Sequence, residues 1–159
     1  MIVYKAVGAL ILCGSGFWVS RLLNARLDAA VRQTNGFLVL LQTVKRQVDC
    51  YAQALPDILF ACEEALLRDC GFCGTERPRD WEQLLLACRV YDGESVETVR
   101  RFAADFGKGY REEQLRACDY TLSLLESRRA HLTEALPAEK KRNTTLCLSA
   151  SLGVAILLF

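Results

Sequence analysis

The chain has 159 residues, 52% hydrophobic and 25% charged, with 20 lysines and arginines against 19 aspartates and glutamates. The near-zero charge balance leaves no broad positive field to attract nucleic acid.

Every acidic residue lies between two uncharged apolar runs, Ala6 to Ser20 and Asn143 to Phe159. The runs are about 15 and 17 residues long and as helices reach roughly 22 and 25 Å, short of a full hydrocarbon core. Ile2, Val3 and Tyr4 extend the first run if Lys5 snorkels, and local thinning of the bilayer absorbs the remainder. Tyr4 and Trp18 fall at interfacial positions, and no small-x-small cleavage site follows Val19. Residues 1–20 are therefore expected to form an N-terminal transmembrane helix that continues outward through Arg21, Leu22 and Leu23. The alternative is a buried helix of a soluble bundle, since runs of this length are ambiguous.

Between the runs, residues 21–142 suffice for one compact domain with its own core. Phe37, Leu41, Val44, Val48, Tyr51 and Leu55 recur at steps of four and three, marking one face of a helix. Pro56 opens the next helix, which is expected to run to about Asp69 and bury Leu59, Cys62 and Leu66. Cys70 to Arg79, with Gly71, Gly74 and Pro78, reads as a loop. Asp80 and Gln83 form a capping-box signature ahead of a helix through Leu84, Leu85 and Cys88. Asp92-Gly93 marks a turn, Val96, Val99, Phe102, Ala103 and Phe106 form an apolar stripe, and Gly107 is expected to close that helix in the left-handed region.

The last soluble helix begins near Gly109 and carries Leu115, Cys118, Leu122, Leu125, Leu132 and Leu136 at heptad-like steps. Arg129 interrupts the seam, as a buried ion pair, a register device or, most simply, a shifted face. Pro137 is expected to end the helix, and Lys140-Lys141-Arg142 leads into a C-terminal transmembrane helix over 143–159. The fold class is all-α, an antiparallel helical bundle flanked by two spans. The basic residues Arg21, Arg26, Arg32 and Lys140 to Arg142 place the bundle in the cytoplasm and both termini outside.

Eight cysteines call for a separate reading. Cys13 and Cys147 lie in the runs, and Cys62, Cys88 and Cys118 sit on apolar faces, where a thiol acts as a small hydrophobe. Cys70 and Cys73 have ligand spacing, but a structural zinc needs two more donors and the lone His131 is remote. No phosphate loop, dinucleotide turn or nucleophile elbow occurs, so no catalytic, cofactor or metal residue is expected.

Three stretches resemble the stage III sporulation protein AB family of endospore-forming bacteria. They are Val48 with Tyr51 and Ala54-Leu55-Pro56, the turn and helix start from Phe106 to Leu115, and the apolar tail Leu152 to Leu158. Family members carry Asp where this chain has Tyr110, so Gly109 is expected to take the N-cap; Cys70 to Cys73 is also foreign to the pattern. The resemblance implies a non-enzymatic membrane component of the channel between mother cell and forespore, in the mother-cell membrane around the forespore. That family is similar to inner-membrane platform proteins of type II secretion, which implies docking of a cytoplasmic secretion-type ATPase beside other membrane proteins of the channel. Arg111, Glu112 and Gln114 in the most family-like stretch are the candidate partner-binding residues. The alternative function is a membrane-anchored thiol or metal-dependent sensor using Cys70 and Cys73.

Overall fold

The computed structural model describes residues 2–51 and 55–158; the side chains of residues 2–7, 9–10, 12–13, 50–51 and 157–158 lie outside the described set. The roles expected of Tyr4, Lys5, Cys13, Tyr51 and Ala54 therefore fall outside it. Among the described residues six helices follow in order: α1 (Ile2–Tyr51), α2 (Leu55–Ala61), α3 (Glu64–Asp69), α4 (Trp81–Leu86), α5 (Gly93–Asp105) and α6 (Arg111–Leu158). The all-α class is observed, and the chain forms two compact units: Ala30–Leu132, and Met1–Ala29 with Thr133–Phe159.

The unit Ala30–Leu132 is a helical bundle. The expected seam of α1 lies at its centre, with Phe37, Leu41 and Val44 fully buried and Val48 nearly so. Leu59, Leu67, Leu84, Val99, Cys118 and Leu125 close over it. Within this unit α1 and α6 run antiparallel, linked by Lys45 to Asp119 at 2.5 Å, Arg111 to Asp49 at 2.6 Å and Arg129 Nη1 to Asn35 Oδ1 at 3.2 Å. Trp81 packs edge-on against Phe102 and Phe106, with ring centroids 5.6 and 6.3 Å apart, and this holds α4 on α5.

Several expectations need correction. The helix drawn from Pro56 to Asp69 is two helices, because Glu63 adopts an extended backbone. The break rotates the following turn so that Leu67 is buried where Leu66 was expected, a shift of about 100° in helical phase. The helix after Asp80 stops at Leu86, before Cys88. Cys88 instead pairs with Phe72 in an isolated antiparallel bridge that ties the Cys70 to Arg79 loop to the end of α4. Arg129 is exposed on a shifted face, and the inward position is taken by its neighbour Arg128.

Pro137 lies inside α6 and does not end it. Proline removes one N–H and leaves the carbonyl four residues earlier, that of Thr133, without its helical partner.

The unit of residues 1–29 and 133–159 pairs the ends of α1 and α6 antiparallel. Ser20 Oγ donates to Thr144 Oγ1 at 3.0 Å, Asn24 Nδ2 donates to the same oxygen at 3.3 Å, and Lys140 Nζ lies 2.6 Å from Asp28 Oδ1. Gly16 lets the helices touch, since a Cβ there would lie 1.9 Å from Ser151 Oγ. Among the described residues no helix is long and apolar enough to cross a membrane. The expected terminal helices are thus present as helices, without the expected continuous apolarity. Asn143, Thr144, Thr145, Ser149 and Ser151 dilute the second run, and much of the first lies outside the described side chains.

Candidate functional site

The turn before α6 is built by its own side chains. Gly107 has φ +87°, the left-handed conformation expected of it, and ends α5 after Phe106. The N-cap is Tyr110 and not Gly109, because the Tyr110 carbonyl accepts the first helical bond from Gln114 N at 3.0 Å. A tyrosine side chain cannot cap, so Glu113 supplies the reciprocal half of a capping box and accepts from Tyr110 N at 3.1 Å.

The three candidate residues stand differently. Arg111 reaches Asp49 of α1, donating to its backbone carbonyl and, at 2.6 Å, to its carboxylate. Gln114 Nε2 folds back onto the Gly109 carbonyl at 2.9 Å. Glu112 is exposed and has no intrachain hydrogen bond among the described residues. The structure brings all three to one exposed helix start, two of them already engaged.

Cys70 and Cys73 part company. Cys70 is fully buried, and burial pushes its thiol well above the ordinary range, with Cys88 and Cys62 adding to the effect. Cys73 is exposed, its Sγ 3.4 Å from the Gly71 carbonyl oxygen. Cys88 is pushed up to about 11, also by burial. Among the described residues no group of three or more His, Cys, Asp or Glu is placed to hold a metal ion.

A buried polar network escaped the sequence reading. Gln33 of α1, fully buried, uses all its capacity: its amide donates to the Cys70 and Arg89 carbonyls, both at 2.8 Å, while its oxygen accepts from Tyr91 N at 2.8 Å and Asp92 N at 2.9 Å. One side chain thereby joins the end of α3 to the segment leading into α5. Next to it, Thr34 Oγ1 lies 2.8 Å from Ser95 Oγ, which donates to Asp92 Oδ2 at 2.6 Å. Asp92 caps α5 by accepting from Ser95 N at 3.1 Å and receives Arg128 of α6 through two hydrogen bonds. Burial raises the Asp92 pKa, but the Arg128 and Ser95 hydrogen bonds outweigh it and hold the carboxyl below its ordinary value. Of this cluster the sequence marked only the Asp92-Gly93 turn.

Arg128 also pairs with Glu94 at 2.7 Å and lines an open groove of about 720 Å³ between α5 and α6. Its walls mix Glu97 and Arg101 from α5 with Tyr120, Leu124 and His131 from α6. The mixture of charge and exposed apolar surface suits a docking face more than an enclosed reaction chamber. Comparison with protein-family models, curated proteins and solved structures returns no match.

Proposed function

We propose that the chain is a membrane-anchored, non-enzymatic adaptor whose helical bundle faces the cytoplasm and docks a secretion-type ATPase. The reading rests on one observation, the inverted burial of the unit formed by residues 1–29 and 133–159. Among its described side chains, the buried ones are small or polar: Gly16, Ser20 at 3% exposure, Ala29 and Ala155. Large apolar side chains of the two runs and their borders are instead exposed: Ile11, Phe17, Trp18 at 69%, Leu22, Leu152 and Ile156 at 71%. Water drives the opposite distribution, whereas helices in lipid pair through small residues and interhelical hydrogen bonds and turn apolar side chains outward.

Thr144, Ser149 and Ser151 of the second run do not oppose this. Ser149 and Ser151 donate to carbonyls of their own helix, and Thr144 binds Ser20 and Asn24 across the pair. Such hydroxyls are satisfied without water. Antiparallel pairing puts both terminal ends of the pair on one side, in keeping with termini outside and the basic residues inside.

The resemblance to the stage III sporulation protein AB family directs the partner half of the proposal, a channel between mother cell and forespore. Glu112 offers a free carboxylate there, beside Arg111 and Gln114. The thiol or metal-dependent sensor has less support, because Cys70 is sealed inside the bundle. Co-expression with sporulation ATPases of the secretion type tests the adaptor reading. The tagged chain should capture an ATPase, and replacing Arg111, Glu112 and Gln114 together by Ala should abolish capture while helicity and membrane association persist. Failure of the unaltered chain to capture any would refute ATPase docking; capture by the triple variant would move the docking face to the groove between α5 and α6.

A further inference from the structure

A band of uncommitted positive charge borders the apolar face of the terminal helix pair. Arg21, Arg26 and Lys141 are all exposed and have no ion pair or hydrogen bond among the described residues. Their cationic neighbours are spoken for: Lys140 pairs with Asp28 and Arg142 with Glu139. The acids that would neutralise the band are thus consumed, and the uncommitted Glu134 lies roughly two helical turns farther from the apolar run than Lys141.

Antiparallel pairing brings the three cations together along the pair. Asp28 opposite Lys140 and Asn24 opposite Thr144 set Arg26 and Lys141 at about the same level. Arg21 follows just over one turn nearer the exposed Trp18 and Leu22. An arginine or lysine at that height can lay its stem along apolar surface and keep its charge at the headgroups.

We infer that Arg21, Arg26 and Lys141 form a binding band for anionic phospholipid headgroups on the inner side of the bilayer. The inference rests on the membrane reading above and adds lipid selectivity to it. Three cations with free donors, next to an apolar face and no competing acid, are complementary to a row of lipid phosphates. A zwitterionic surface offers no net charge to match them, and the attraction weakens with salt.

The full-length protein reconstituted into phosphatidylcholine vesicles containing a minor fraction of phosphatidylglycerol, then extracted into copolymer discs, gives the test. Discs holding the wild-type protein should be enriched several-fold in phosphatidylglycerol over the starting vesicles. The combined substitution Arg21→Gln, Arg26→Gln and Lys141→Gln should return the ratio to that of the vesicles without preventing flotation. Wild-type discs of unchanged composition, or a variant that keeps the enrichment, would overturn the inference and leave the membrane reading standing. A protein that floats with neither neutral nor anionic vesicles would overturn both. Flotation on anionic vesicles alone would remove the spanning reading and retain the headgroup contact.

Discussion

Arg128 grips both carboxylate oxygens of Asp92, with Nη2 2.7 Å from Oδ1 and Nε 3.1 Å from Oδ2. The carboxylate is almost wholly buried while the guanidinium is one-quarter exposed, so α6 carries a charge into the bundle that α5 could not leave unpaired. Since Asp92 also caps α5 and joins Ser95 and Thr34, this pair sets three helices against one another.

Replacing Arg128 by Met should cost about 3 kcal/mol at neutral pH, because it strands the Asp92 charge. In the unaltered protein the folded-state pKa of Asp92 is lowered, so its contribution is present above the unfolded value of about 3.9 and is lost as pH falls through the folded value. In Arg128→Met, burial without its counterion raises that pKa, and protonation in mild acid relieves the stranded charge. Denaturant unfolding in detergent should therefore show a stability deficit that shrinks between pH 7 and about pH 4. A constant deficit across that range would show that the lost stability is packing alone.

Gly71 and Gly93 should respond in opposite ways to alanine. Gly71 has φ +92°, and a Cβ there would lie 2.5 Å from Gln33 Nε2 and 2.6 Å from the Arg89 oxygen. Gly71→Ala should lower stability by at least about 2 kcal/mol, combining left-handed strain with damage to the Gln33 clamp. Gly93 opens α5 with nothing within 4 Å of such a Cβ, so Gly93→Ala should stay within about 1 kcal/mol of the parent. Melting temperatures of the two variants compare them directly.

Much of the bundle was legible in the sequence, and the reason differs by element. The Phe37 to Val48 seam and the α5 stripe are apolar at helical spacing, and that pattern survives any tertiary context. The Asp80 cap was readable because its partner is only three residues away, with Gln83 N 2.7 Å from Asp80 Oδ1. Gln33, Thr34, Asp92, Ser95 and Arg128 were not, since each polar residue looks solvated until partners 30 or more positions away converge on it. Tyr110 defeated the cap rule because Glu113 does the capping from inside the helix. The candidate site at Arg111, Glu112 and Gln114 was located by resemblance; the engagement of Arg111 by Asp49 had no local signature.

The pairing of the terminal helices depends on Gly16. A Cβ at that position would sit 1.9 Å from Ser151 Oγ and 3.0 Å from the Cys147 oxygen, whereas at Gly14 it would meet nothing within 4 Å. With cysteines placed at Ser20 and Thr144, whose hydroxyl oxygens lie 3.0 Å apart, oxidation should cross-link the two helices efficiently. Gly16→Val should sharply reduce that yield and Gly14→Val should not. Equal yields in both variants would refute the close approach.

The central claim is that the terminal helices hold the bundle on the inner side of a membrane, and exposed Cys73 in the loop before α4 is its native reporter. A membrane-impermeant maleimide applied to intact cells producing the chain should leave Cys73 unmodified. The same reagent should modify it once the membrane is opened, with that signal missing in Cys73→Ser. Modification of Cys73 in intact cells would contradict the account by placing the bundle on the outer side of the membrane.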